Sequence, residues 1–413
     1  MIGEGRLLAW RWLPPETTRD AAVLLSARGV RAFGDGFVSV LLPVYLLVLG
    51  FDGLQIGGVA TATLIGSSAL TLLVGFIAHR FRARPLLTSA ALLMAATGAG
   101  FALVHGFWPL LVVSFVGTLN PSSGDVSVFL PLEQSVLSQT VSAKERTALF
   151  ARYSLVGSLV GAAGALCAGV PEIIARDGPI PLSGTLQGMF LLYGVLGLIA
   201  LALYKRLSPA LGETHQTRTP LRESRRIVYT LAGLFALDSL GAGFVVQSLL
   251  ALWLFERFGL SVATAGAIFF WSGVLSAGSY LIAVPLAKRI GLVNTMVFSH
   301  LPSNVLLLLV PFMPNLPMAI VLLLARSALS QMDVPTRNSY VMAVVPPAER
   351  PAAASVTSVP RSLATAASPL LSGYLLGLSA FGWPLVVAGA LKSIYDLLLL
   401  AMFAKVRPPE EAG

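Results

Sequence analysis

The chain is 413 residues long, 56% hydrophobic and only 11% charged, with a mean hydropathy of +0.81, a composition that excludes a soluble globule with a polar surface and indicates a polytopic membrane protein. The +9 formal charge comes from 28 Lys and Arg against 19 Asp and Glu, and in such a chain it reports membrane topology, not a nucleic-acid partner. A lone cysteine, Cys167, leaves no disulfide or metal cluster to build, and His79, His105, His215 and His300 are scattered with no phosphate loop or activated nucleophile, so neither an enzyme nor a cofactor or metal is expected.

A membrane-crossing helix needs about 20 apolar residues. Twelve runs meet that need: 23–49, 54–78, 85–105, 107–138, 148–169, 184–204, 227–255, 262–286, 292–312, 316–344, 351–376 and 383–403. The expected fold is therefore an all-α membrane protein of twelve transmembrane helices in two pseudo-symmetric six-helix halves, 1–204 and 227–413. The basic segment 205–226 between them is the expected cytosolic linker. With both termini in the cytosol, 19 Lys and Arg fall in cytosolic segments and only Arg176 and Arg257 outside, which fixes the orientation.

Span 2 ends on Gly75-Phe76-Ile77-Ala78-His79-Arg80-Phe81-Arg82-Ala83-Arg84, and span 8 ends on a similar basic turn, Val284 to Gly291, with Ala78 and Arg80 matching Ala287 and Arg289 at an offset of 209. The same offset pairs Gly50 with Gly259 and Gly57 with Gly266, and an offset of 207 pairs Gly36 with Gly243, so the chain reads as a duplication. These loops resemble the signature of the major facilitator superfamily, Gly-x-x-x-Asp-Arg-x-Gly-Arg-Arg. Gly75, Arg80 and Arg84 fit it in the first copy, and Arg289 and Gly291 in the second. His79 and Lys288 replace its Asp, and Arg82 its inner Gly. The resemblance implies a conformational loop at these residues and a central cavity lined by spans 1, 4, 7 and 10.

Charges within the spans are costly and mark pathways or gates. They are Arg28, Arg31, Asp35, Asp125, Glu133, Arg152, Asp238, Arg326, Asp333, Arg337, Arg361, Lys392 and Asp396. Nine of these thirteen lie on spans 1, 4, 7 and 10. At about 1.5 Å of rise per residue, Asp35, Asp238, Arg326, Arg361, Lys392 and Asp396 fall near the midplane. Arg28, Arg31, Asp125, Asp333 and Arg337 fall near the cytosolic edge, with Glu133 at or past it. The cytosolic-edge set reads as an inner gate in which Glu133 or Asp125 would face Arg337 across the two halves. Asp238, with no charged neighbour along its own helix, is the expected proton-carrying site. Asp35, one turn from Arg31, is its competitor.

Span 4 carries Asn120-Pro121-Ser122-Ser123-Gly124-Asp125, where a helix should kink, making Asn120 and Asp125 candidate substrate contacts beside Arg31, Gln247, Arg326 and Arg361. In span 11, Ala364-x-x-x-Ser368-Pro369-x-x-Ser372-Gly373 resembles a small-residue motif of exporters in the same superfamily. Lys392 and Asp396, one turn apart, read as a mutually neutralising pair. The function expected is a secondary transporter that moves a small organic solute by alternating access, as a monomer in the bacterial inner membrane, with proton-coupled export as the direction. Proton-coupled uptake by the same fold is the alternative, and a non-transporting receptor or scaffold the reading from another class.

Overall fold

The structure is a computed structural model that describes residues 18–77, 82–122, 127–137, 140, 143–208, 221–346 and 349–404, without the side chains of 75–77, 143–148, 284 and 351. Within them the first half comprises α1 (Arg19–Val48), α2 (Gly53–Ile77), α3 (Ala83–Leu103), α4 (Phe107–Val116), α5 (Phe129–Leu137), α6 (Ala143–Cys167), α7 (Val170–Asp177) and α8 (Leu182–Tyr204). The second comprises α9 (Arg225–Phe244), α10 (Gln247–Phe258), α11 (Val262–Ile290), α12 (Leu292–Leu309), α13 (Leu316–Leu329), α14 (Asp333–Val344), α15 (Arg350–Leu378) and α16 (Trp383–Phe403). Ten helical stretches are long and apolar enough to cross a bilayer. The two remaining expected spans are α15 and the pair α4 and α5, which are 10 and 9 residues long.

Local chemistry sets the helix ends. The Thr18 hydroxyl accepts from the Ala21 N–H at 3.4 Å, Ser261 from Thr264 at 3.2 Å and Asn315 from Met318 at 3.1 Å, caps that each stabilise a helix by about 1 kcal/mol. Where a kink was expected at Asn120-Pro121 the helix is interrupted: α4 ends at Val116, and residues 117–122 and 127–128 are not helical. Two further breaks correct the expectation of continuous spans 7 and 10. One falls at Val245–Val246, between α9 and α10, and one at Ser330–Met332, between α13 and α14. The short helix α7 is a further addition to the expected plan.

The duplication is visible in packing. Gly50 and Gly259, matched in sequence, both adopt positive φ, +86° and +61°, at the turns that follow α1 and α10. A Cβ on Gly36 of α1 would lie 2.0 Å from the Gly161 carbonyl of α6, and one on its counterpart Gly243 of α9 would lie 2.3 Å from the Thr365 carbonyl of α15. The same glycine thus lets span 1 lie on span 5 and span 7 on span 11. Gly57 and Gly266 form the matching contacts between halves, 2.5 Å from the Pro369 carbonyl of α15 and 2.5 Å from the Ala165 carbonyl of α6.

Those contacts belong to the parts of α2, α6, α11 and α15 remote from the termini and linker. Hydrogen bonds at that end also bridge the halves. The Leu370 N–H donates to Thr61 Oγ1 at 2.9 Å, and the Ala263 N–H to Glu172 at 3.3 Å. Ser248, in the first turn of α10, has a backbone N–H without an intrahelical partner, and donates it at 3.0 Å to the carbonyl of Pro121 in the span 4 break.

Candidate functional site

Two buried polar clusters lie inside the bundle, one in each half. In the first, Arg31 of α1, 1% exposed, projects among α5, α6 and α8. Its guanidinium pairs with Glu133, which is fully buried. It also donates from Nε to the Tyr204 hydroxyl at 2.9 Å and lies 4.0 Å from the centroid of the Phe129 ring. Tyr204 in turn donates to Glu133 at 2.6 Å, and the Tyr153 hydroxyl donates to the same carboxylate. One carboxylate thus gathers an arginine and two phenols from three other helices, satisfying lone pairs that burial would otherwise leave bare. Arg28, one turn below Arg31, lies over the Tyr153 ring at 5.2 Å and fills the space that the missing side chain of Gly157 leaves open.

In the second cluster Asp238 of α9 is the centre. Lys392 of α16 donates to its Oδ1 at 2.5 Å and Arg337 of α14 to its Oδ2 at 3.3 Å. Arg337 also pairs with Asp333 one turn before it, at 3.2 Å. His300 of α12 joins the two sides. Its Nε2 lies 3.7 Å from Asp238 and 3.5 Å from Lys392, while its Nδ1 lies 2.9 Å from Asp396. Asn304 Nδ2 is 2.8 Å from Asp396 and 3.0 Å from His300 Nδ1. Arg361 of α15 donates from Nε to the Ser239 hydroxyl at 3.3 Å, and Nε of Arg326 is buried with no hydrogen-bond partner among the described residues.

Several expectations are corrected by these contacts. Asp238 does have charged neighbours: adjacent helices supply them where its own helix does not. Lys392 and Asp396 do not neutralise one another, because Lys392 turns to Asp238 and Asp396 to His300. Glu133 is fully buried among the helices. It pairs with Arg31 in its own half, not with Arg337, whose partners are likewise in its own half. In the second half the two expected depth layers are one, since Arg337 touches Asp238. Asn120 Oδ1 is occupied locally, accepting from the Ser122 N–H and hydroxyl at 3.1 and 2.9 Å, as in an Asx turn.

Asp35 is 7% exposed and accepts from the Tyr193 hydroxyl, 3.5 Å away and also 3.1 Å from the Thr118 carbonyl. Gln247 opens α10. Asp125 and Arg80 lie outside the described residues. Gly75 is in the last turn of α2, Arg84 in the first turn of α3 and Arg289 in the last turn of α11. Gly291, at φ +87°, makes the left-handed turn into α12 that a side chain would strain. Sequence reading missed His300, Asn304, Tyr153 and Tyr204. Only His300 and Asn304, polar and one turn apart in an apolar run, carried a signal.

The comparisons follow this architecture. A family model described as "Major Facilitator Superfamily" matches residues 24–249 and 231–413. The uncharacterized membrane protein YJR124C of Saccharomyces cerevisiae is 23% identical over 94% of this chain and 95% of its own length. An uncharacterized MFS-type transporter of Escherichia coli, YcaD, is 27% identical over 34% of this chain and 35% of its own. Among solved structures, the nucleoside transporter NupG superposes with a TM-score of 0.69 at 14% identity, covering 94% of this chain and 99% of that one. A POT family transporter in complex with a thioalcohol-conjugated peptide gives 0.70 at 14% identity, covering 96% and 97%. The human organic anion transporter MFSD10 gives 0.62 at 18% identity, covering 94% and 100%. Matched along nearly its whole length, the chain belongs to the major facilitator superfamily of integral membrane transporters.

Proposed function

We propose that the protein is a proton-coupled secondary transporter that exports a small organic solute by alternating access between its halves. It works as a monomer in a bacterial inner membrane, with both termini and the 205–226 linker in the cytosol. The observation that carries this reading is the pair of buried clusters at matching places. The ion pairs of each cluster lie within one half among the described residues, while the halves meet through small residues at the end remote from the linker. Two self-contained bodies that share a hinged seam are what rocking requires.

Proton coupling is assigned first to Asp35. Arg31, one turn away, is turned to Glu133 and Tyr204, so Asp35 can exchange a proton without breaking an ion pair. A proton on Asp238 has to displace Lys392 or Arg337. Export is the direction favoured by the small-residue face of α15, where Gly373 packs on Gly53 and Gly57 of α2, in the segment that resembles the exporter motif.

Uptake of an organic anion is the second reading, favoured by Arg326 and Arg361, which have no carboxylate partner among the described contacts. Cells with and without the chain, given an imposed pH gradient and a panel of metabolites and dyes, separate the two. Export predicts solutes lost from expressing cells, uptake predicts anions gained, and Asp35→Asn uncouples either. A folded protein whose transport ignores the pH gradient refutes proton coupling.

A further inference from the structure

We propose that His300 is a proton-binding site in the second half, taking a proton on Nε2 and thereby releasing Lys392 from Asp238. The inference rests on the proton-coupled reading above but concerns a different residue.

His300 is 5% exposed, on α12. The charged and titratable groups around it are Asp238 from α9, Asp333 and Arg337 from α14, Lys392, Tyr395 and Asp396 from α16, and Arg326 from α13; α11, also packed on α12, brings Tyr280, hydrogen-bonded to Gln331. A 2.9 Å contact between Nδ1 and a carboxylate oxygen of Asp396 needs a proton between them. Nε2 faces the Lys392 ammonium, which can only donate, so Nδ1 carries the hydrogen and gives it to Asp396, which accepts from Asn304 on its other oxygen at 2.8 Å. The lone pair is then on Nε2, facing Lys392 at 3.5 Å and Asp238 at 3.7 Å.

Four groups in the cluster compete for an incoming proton, and geometry ranks them. A proton on Asp333 displaces Arg337 at 3.2 Å. A proton on Asp238 displaces a lysine at 2.5 Å or an arginine at 3.3 Å. One on Asp396 displaces the imidazole N–H or the amide. One on His300 Nε2 displaces only a lysine N–H at the limit of hydrogen-bond range. A single proton from water forms the new Nε2–H bond. Lys392 keeps its three hydrogens and Asp238 stays ionised, so the step balances. The imidazolium then stands beside the Lys392 ammonium with Asp238 between them, and the two cations compete for Oδ1. The Nε2–H takes Oδ1, and α16 loses its ion pair with α9. Protonation thus exchanges the bond that ties span 12 to span 7 for one that ties span 9 to it, and deprotonation reverses it.

The test is nitrogen NMR of full-length protein in lipid bilayers, with ring-labelled histidine and side-chain-labelled lysine. His79→Asn, His105→Asn and His215→Asn leave His300 as the sole histidine, so no His300 variant has to fold. The expected result is an Nε2 signal that gains a proton as pH is lowered while Nδ1 stays protonated, with one lysine signal moving in step. Lys392→Met should shift that titration by about one pH unit, a tenfold change in proton affinity, because the competing ammonium is gone. An Nε2 that gains no proton at any pH at which the protein stays folded, or a protonation indifferent to Lys392→Met, overturns the proposal. Transport that ignores the pH gradient in a protein whose His300 titrates as described refutes proton-coupled transport and leaves the site standing.

Discussion

Arg31 on α1 and Asp238 on α9 occupy matching positions in the duplicated chain, at an offset of 207, and each is ion-paired in its half's buried cluster with the opposite sign of charge. Their partners invert in step. Glu133 on α5 answers Arg31, and Arg337 on α14, at an offset of 204 from Glu133, answers Asp238. The duplication has kept the places and exchanged the charges, so a cation on span 1 bound to an anion on span 4 is mirrored by an anion on span 7 bound to a cation on span 10.

Closed circuits of this kind make a prediction about exchange of charges. Arg31→Glu combined with Glu133→Arg should recover part of the transport that either single change abolishes, because the pair lies within one half. Glu133→Arg combined with Arg337→Glu should recover none, because each leaves its own half's partner facing a like charge. Rescue by the second combination, measured as solute flux in the same vesicles, would restore the gate between halves that the sequence suggested.

Glu133→Gln should destabilise the first half by about 3 kcal/mol, the usual cost of stripping one partner from a buried ion pair. Arg31 would remain enclosed with its charge unanswered. Unfolding in detergent checks this. A midpoint that does not fall would mean that the guanidinium finds water or another acceptor.

Which parts of this were legible follows from what each signal depends on. Helix positions were readable because hydropathy is local, and the repeat because Gly36, Gly50 and Gly57 stand at fixed offsets from Gly243, Gly259 and Gly266. That these glycines meet backbone carbonyls of other helices required the fold. The ion pairs were misread for a related reason: spacing along one helix joined Lys392 to Asp396, whereas the side chains take partners from α9 and α12. The breaks in spans 7 and 10 also had local signals, Gly241 and Gly243 just before the first and Pro335 just after the second, but unbroken hydropathy across both runs hid them.

Gly57→Ala should weaken the seam between the halves. Its new methyl would start 2.5 Å from the Pro369 carbonyl and 3.0 Å from the Gly373 Cα, both backbone atoms that cannot turn aside. Overpacking of this kind costs about 1–3 kcal/mol, which is about five- to a hundredfold in population. Oxidative cross-linking of Thr61→Cys to Leu370→Cys, with Cys167→Ser, should therefore fall several-fold when Gly57→Ala is added. An unchanged yield would mean that the seam yields elsewhere without opening.

Ser208 should be reached only from the cytosolic side. Its N–H bonds the Asp20 carboxylate at 3.0 Å, holding the start of the linker beside the start of α1, so the two share one face. A Ser208→Cys variant lacking Cys167 should resist an impermeant thiol reagent in intact cells and react after lysis. Labelling of intact cells would invert the orientation.

At its other end the linker is held by Glu349, just ahead of α15. One carboxylate oxygen accepts from the Arg222 and Glu223 N–H groups at 2.9 and 3.0 Å, and the other from the Ser224 N–H at 3.2 Å and its hydroxyl at 2.5 Å. The Ser224 hydroxyl, followed by these backbone donors, holds the Glu349 carboxyl at about 2, below its ordinary 4.5. A lowered carboxyl value means that the ionised form is the one the fold binds. The anchoring is thus complete above about pH 4.5 and is lost as pH falls toward 2. Hydrogen exchange of residues 222–224, corrected for the intrinsic rate at each pH, should follow that course. Glu349→Gln should give exchange about tenfold or more faster at neutral pH, because a neutral amide is a weaker acceptor for four donors than a carboxylate. Exchange unaffected by the substitution would show that the segment is held by α9 packing alone and that span 11 does not steer the linker.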